Sequence, residues 1–221
     1  MRGSRLLSVL ALCVIATVAL ARGHGHRTAA GATGQFDYYL MSLSWSPSYC
    51  ATHPGDQRQC RHKGYGFVLH GLWPQGRNGL GPENCRTDAI PDDAVIQRAL
   101  AFMPSQHLIE HEWQTHGSCS GLDPAEYFGL ADRAFASVKI PPALTTPRSP
   151  PSMTANDVRQ AFLHANPGLG NSMLSIVCHD GDELTEVRVC LNKGTLAAQA
   201  CTGPVRNSCR YGKLQIPALR Q

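Results

Sequence analysis

The chain has 221 residues, a formal charge of +4 from 20 Lys and Arg against 16 Asp and Glu, 43% hydrophobic residues and nine cysteines. So mild a balance excludes a protein that coats nucleic acid by broad counterion release; any polyanion binding must be local to a site and must strengthen as the ten histidines protonate. No internal repeat or long charged block marks a second unit, so one domain with one sizeable core is expected.

Arg2 and Arg5 precede an apolar run over residues 6–21 that ends in Ala19-Leu20-Ala21, the small-x-small pattern of a cleaved export signal. The run is short for a bilayer-spanning helix, and no basic stop-transfer cluster follows. Cleavage after Ala21 is expected to remove Cys13 and two positive charges, leaving +2 and eight cysteines. An even cysteine count in an exported chain implies four disulfides and an oxidising compartment, periplasmic or extracellular, although composition does not choose among the many possible pairings. Residues 22–34, rich in Gly and Ala, read as a flexible arm, and residues 35–221 as the single domain.

Aromatic and branched residues predict a strand over 36–45 and a second over 67–70 that ends at Gly71, with a loop holding Cys50 and Cys60 between them. Residues 74–91, rich in Gly, Asn and Asp, predict a further loop ordered through Cys85. From Asp92, the apolar positions Val95, Ile96, Ala99, Leu100 and Met103 share one helical face and predict a core helix. Asp123-Pro124-Ala125-Glu126 announces another helix: Asp caps, Pro fits the first turn and Glu bonds back to the cap, ahead of a stripe of Tyr127, Phe128, Ala131, Ala134, Phe135 and Val138. After a proline-rich surface loop from Pro141, a shorter helix is predicted over 154–165, stopped by Asn166-Pro167-Gly168. Residues 173–178 and 184–190 predict an antiparallel hairpin with four cysteines in and after it. Strands and helices mix without regular alternation, so the expected fold is α+β: a central, mostly antiparallel sheet flanked by helices and stapled by disulfides.

Two stretches stand apart. In residues 111–119, HEWQTHGSC, two histidines and a glutamate suggest a zinc hydrolase, whose His-Glu-x-x-His puts both imidazoles on one helical face. Here the second histidine falls at i+5, about 140° around a helix from the first, and the i+4 position holds Thr115. The spacing argues against a metal site, and no cofactor is expected. In residues 67–75, FVLHGLWPQ, a histidine at a strand end stands beside an aromatic ring, an imidazole at a rim next to a flat surface. Taken singly, His70 reads as a structural histidine, and Trp73 and Trp113 as core residues.

Taken together, FVLHGLWP and the later HEWQTHGSC resemble the two active-site segments of the ribonuclease T2 family, and CSGLDPAEYF and SIVCHDGDELTEVRVC look like its bacterial members. The resemblance implies an exported, metal-independent endoribonuclease that cuts single-stranded RNA with low base specificity, through a 2',3'-cyclic phosphate to a 3'-phosphate. It implies a monomer whose partner is RNA, with no obligate protein partner and no membrane association after signal cleavage. The chemistry fits histidine: one group must take the 2'-hydroxyl proton and another must protonate the leaving 5'-oxygen, and imidazole titrates near the working pH for both. By resemblance, His116 is the base, His70 the acid, and His111 holds the phosphate, while Glu112 tunes or orients the site. Trp73 would stack on the base upstream of the cut, and Gln75 would bond to that base's edge. The family pattern has a lysine before the last histidine, where this chain has Thr115, which donates a hydrogen bond but brings no charge. That absence implies a loss on the order of tenfold to a thousandfold unless an arginine reaches in from elsewhere; the alternative is a catalytically weakened RNA-binding homologue. The resemblance also implies the pairs Cys85–Cys119, Cys178–Cys209, Cys190–Cys201 and Cys50–Cys60.

Overall fold

The computed structural model describes residues 33–61, 63–145, 151–203, 205, 207–210 and 212–219. The expected export signal, most of the expected arm and residues 146–150 of the proline-rich loop lie outside the described residues. Strands β1 (Tyr38–Trp45), β2 (Phe67–Gln75), β3 (Leu174–His179) and β4 (Glu183–Asn192) form one sheet in the order β2-β1-β4-β3, with every pairing antiparallel. Alternation sorts the side chains of the central strands between two faces. Tyr39, Met41, Leu43 and Trp45 of β1 join Val187, Val189 and Leu191 of β4 in the main core. On the opposite face Tyr38, Leu40 and Cys190 form a smaller apolar cluster, against which Trp73 packs.

The main core is closed by α3 (Asp93–Ala99), α4 (Gln106–Thr115), α5 (Pro124–Ala136) and α6 (Ala155–Ala165). The cap chemistry of α5 is present in full: Asp123 accepts from the Glu126 amide, and the Glu126 carboxylate accepts from the Asp123 amide. Helix α3 stops earlier than its apolar stripe suggests, yet Met103 beyond its end is still buried. The segment read as a loop around Cys50 and Cys60 instead holds two short helices, α1 (Ser46–Thr52) and α2 (Gln57–Cys60), the second capped by the Asp56 carboxylate. No helix among the described residues is long and apolar enough to cross a membrane.

Strand β2 departs from expectation in the way that matters for the site. It does not end at Gly71; β1 goes on offering backbone partners, pairing Leu40 with Trp73 and Tyr38 with Gln75. The register slips once, because Ser42 faces Gly71 while Leu43 faces Leu69, which leaves His70 as the extra residue of a β-bulge. The bulge changes the phase of the strand. Phe67 and Leu69 enter the main core before it and Leu72 after it, so His70 and Trp73, three residues apart, share the opposite face. Leu72 is fully buried and Trp73 half-buried, so the motif is sheet and not an exposed rim.

Four disulfides staple this frame. Cys50–Cys60 joins α1 to α2, Cys85–Cys119 ties the loop after β2 to the turn after α4, and Cys178–Cys209 and Cys190–Cys201 anchor the segment after β4 to the β3–β4 hairpin. These are the pairs that the family resemblance implies. Each stabilises a fold of this size by about 2–4 kcal/mol, chiefly by restricting the unfolded chain.

Candidate active site

Helix α4 carries the second motif. Ser105 caps its start by accepting from the Leu108 amide, and Ile109 and Trp113 anchor it in the core, where the Trp113 indole donates to the Ala89 carbonyl at 2.7 Å. The helix ends at Thr115. His116 has left helical geometry at φ −122°, and Gly117 follows because a Cβ there would lie 2.7 Å from the Trp113 ring and 2.8 Å from that of Tyr127. The Cys85–Cys119 bridge then pins the end of the motif beside the loop after β2.

Three of the expected site residues meet at the Trp73 indole. Its Nε1 donates to Glu112 Oε2 at 2.7 Å, its ring lies edge-on to His70 at 5.3 Å between centroids, and the tilted His116 ring is 5.2 Å away. Gly71 makes the approach possible: a Cβ there would sit 2.7 Å from Glu112 Cδ, and closer still to its Oε2 and to Trp73 Nε1. The two motifs touch because one residue lacks a side chain.

The two histidines have opposite electrostatic settings. His70 Nδ1 is 3.3 Å from Glu186 Oε1, and its Nε2 is 3.6 Å from Glu112 Oε1. Burial opposes its charge, but the hydrogen bond to Glu186 and the charges of Glu112 and Glu186 outweigh both burial and the repulsion of Arg188, so its pKa ends above the ordinary value. No carboxylate among the described residues pairs with His116. Burial, with His111 and His70 adding repulsion, lowers it to about 3, and its buried Nδ1 has no hydrogen-bond partner among the described residues. Burial also raises Glu112 to about 7, an effect that His70 and the Trp73 indole only partly offset. Burial pushes Glu186 up as well but is outweighed, because the hydrogen bond to His70 and the charges of Arg188 and His70 hold its carboxyl at about 2.

His111 is exposed on α4 and shares with His70 the wall of a cavity of about 610 Å³, to which Tyr49, His53, Leu108 and Glu183 also contribute. One face of that wall is a stacked pair, Tyr49 on His53, with centroids 4.2 Å apart. Thr115 is half-buried and its hydroxyl has no hydrogen bond among the described residues; its carbonyl accepts from the Asn84 amide. Gln75 is buried at the end of β2, where its amide donates to the Pro74 carbonyl, and no contact joins it to the histidines among the described residues. No group of three or more His, Cys, Asp or Glu side chains among the described residues is placed to hold a metal ion.

Sequence reasoning missed Glu186 and Arg188. They face each other two residues apart on β4, with Arg188 Nε donating to Glu186 Oε2 at 2.6 Å and the guanidinium carbon 5.2 Å from the centroid of the Trp73 ring, over its face. A signal was available, since opposite charges at i and i+2 in an otherwise apolar strand point to one face of a sheet. What was missing was that β4 lies in the middle of the sheet, next to β1, so that this face is the one His70 uses.

The model of the Ribonuclease T2 family matches residues 36–201. A ribonuclease of Aeromonas hydrophila is 37% identical over 201 residues, 87% of this chain and 86% of that protein. Ribonuclease DdI of Dictyostelium discoideum is 27% identical over 84% of this chain and 86% of its own length. Among solved structures, RNase NT in complex with 5'-AMP superposes with a TM-score of 0.63 at 24% identity, covering 83% of this chain and 98% of that one. An RNase MC1 mutant in complex with 5'-UMP gives 0.65 at 23%, over 81% and 98%.

Proposed function

The chain belongs to the ribonuclease T2 family, and from that premise we propose that it is an endoribonuclease cutting single-stranded RNA by metal-independent histidine acid-base catalysis. The observation that carries the mechanism is the contrast between two imidazoles set against one indole: His70 is held between two carboxylates, and His116 pairs with none among the described residues. Environments that push two titratable groups apart assign the acid and the base. His116, neutral above about pH 3, takes the proton from the 2'-hydroxyl. The 2'-oxygen attacks phosphorus, and the bond to the leaving 5'-oxygen breaks as that oxygen takes a proton from His70. The product is a 2',3'-cyclic phosphate. In a second step the roles reverse and water opens the ring to a 3'-phosphate.

His111 binds the scissile phosphate from the cavity side. Glu112 orients His70 and the indole together, and the accessible part of Trp73 offers a stacking surface that tolerates any base. Gln75 and Thr115 have supporting roles in this reading: Gln75 at the base edge after release from Pro74, and Thr115 as a hydroxyl donor. The requirement for a 2'-hydroxyl makes the substrate RNA and not DNA. Four disulfides and the N-terminal apolar run support export of residues 35–221, as one monomeric domain, to the periplasm or beyond.

The test is cleavage of an end-labelled RNA oligonucleotide by the disulfide-intact protein in EDTA, from about pH 4 to about pH 8. Cyclic-phosphate products that disappear in His116→Ala and in His70→Ala, with a deoxy substrate left intact, are the expected outcome. Activity that survives His116→Ala, or that EDTA abolishes, overturns the mechanism.

A further inference from the structure

We propose that Arg188 is a phosphate-contacting catalytic residue, whose guanidinium supplies from the middle of β4 the positive charge that the phosphorane needs and that α4 does not bring. The inference deepens the ribonuclease reading and rests on it. Its basis is register. Gly71, Ser42 and Arg188 lie in one row across β2, β1 and β4, and Leu40 connects Trp73 to Cys190 in the next row. Neighbouring strands are about 4.8 Å apart, so an arginine in that row, reaching over the small side chain of Ser42, arrives beside His70 and Trp73. The contacts agree: one carboxylate, Glu186, holds His70 Nδ1 with one oxygen and Arg188 Nε with the other.

The way Arg188 is held leaves its working end free. Only Nε is engaged; the two terminal nitrogens have no hydrogen-bond acceptor among the described residues, and the side chain is 31% exposed. An arginine placed only to neutralise Glu186 would present its fork to both oxygens, the bidentate geometry that carboxylates favour. Here one of those oxygens is spent on His70. The remaining donors match two non-bridging oxygens of a phosphodiester. Charge balance points the same way. Glu186 stays ionised beside His70 and Glu112 adds a second negative charge above about pH 7, so a phosphodiester brought to that site meets carboxylate charge that His70 offsets only while it is protonated, and a permanent cation is needed beside it. At the position before His116 on α4, Thr115 offers no charge.

The test uses the full, disulfide-intact chain and four variants: Arg188→Ala, Arg188→Lys, Thr115→Lys, and Arg188→Ala combined with Thr115→Lys. Turnover of a dinucleotide RNA is measured with and without added guanidinium, alongside affinity for inorganic phosphate and thermal unfolding. Arg188→Ala is expected to lower kcat by about a hundredfold, the typical loss of one transition-state donor, and to weaken phosphate binding. Guanidinium and Thr115→Lys should each restore at least about tenfold of that loss, because both return a cation to the same phosphate. The gain from Thr115→Lys should be at least about tenfold larger beside Arg188→Ala than in the wild-type background, where a cation is already supplied. Arg188→Ala with near-native kcat and unchanged phosphate affinity overturns the assignment. So does a variant that loses turnover yet keeps phosphate affinity and responds to neither rescue, which is the behaviour of a residue that only positions Glu186 and His70. A wild-type chain that leaves RNA intact refutes the ribonuclease reading by itself; the phosphate titration then still decides whether Arg188 binds phosphate.

Discussion

One methyl group at Gly71 should uncouple the two motifs. The backbone there is ordinary strand, outside the positive-φ positions of the chain, so Gly71→Ala adds no conformational strain and acts through bulk alone. The added carbon would lie 2.7 Å from Glu112 Cδ and nearer to the atoms that form the bond between Trp73 Nε1 and Glu112 Oε2. The carboxylate must move, and at 1% exposure it has no solvent to move into. Losing a hydrogen bond to an ionised buried acceptor costs about 1.5–3 kcal/mol, and overpacking a filled site costs about 1–3 kcal/mol more. The expected destabilisation is therefore about 2.5–6 kcal/mol at a pH above 7, where Glu112 is ionised. For a domain of this length that lowers the melting temperature by on the order of 10 °C or more. Trp73→Phe, which removes the donor without adding an atom, supplies the control and should cost only the hydrogen-bond share. Calorimetry of both variants with disulfides intact, paired with RNA cleavage, makes the comparison. If Gly71→Ala melts with the wild type, or costs less than Trp73→Phe, the glycine is not what allows Glu112 to reach the indole.

Other expectations follow from the same contacts. Activity should trace a bell against pH: protonation of His116, lowered to about 3, sets the acid limb, and loss of the proton from His70, raised above its ordinary value, sets the alkaline limb. Glu186→Gln removes the partner that raises His70 and should shift the alkaline limb to lower pH, as rate profiles against wild type will show. Stability should also fall with acid. Between about pH 6.5 and 3 the unfolded chain protonates His116 and the native state does not, a loss of up to about 1.4 kcal/mol per pH unit that proton uptake by native Glu112, raised to about 7, offsets until the ordinary carboxyl range is reached; the net fall is expected below it. Glu186, ionised in the native state down to about pH 2, adds to the loss once the pH drops below the ordinary carboxyl range, because its unfolded form then takes a proton that the folded form refuses. Denaturant titrations of His116→Asn should show a correspondingly smaller loss on acidification than the wild type. Replacing Cys85 and Cys119 together by serine opens the bridge that pins the second motif and should cost about 2–4 kcal/mol in chemical denaturation, with a larger proportional loss of activity than opening Cys50–Cys60.

Much of this protein was legible in the order of its residues, because the relevant physics is local. Asp123, Pro124 and Glu126 dictate the start of α5 through bonds that span one turn, and the apolar stripe of α5 buries as its period requires. The alternation in β4 and the turn before it make the hairpin with β3. The histidines, the glutamate and the indole were marked by their motifs, and the cysteine pairs came with the family pattern and not with any spacing rule. Register, however, is a property of two strands at once. Nothing within residues 67–75 says that β1 skips His70, yet that single slip puts His70 and Trp73 on one face and keeps Leu69 and Leu72 on the other. Glu186 and Arg188 are more than a hundred residues from His70 in sequence and reach it only because β4 lies beside β1. Sequence alone determined the longer helices, the hairpin and the reactive groups, each set by neighbours within a turn or a strand, but not α1, α2 or the length of β2; the sheet order and the bulge at His70 decided which charges surround those groups, since strand pairing is where distant segments first share a face.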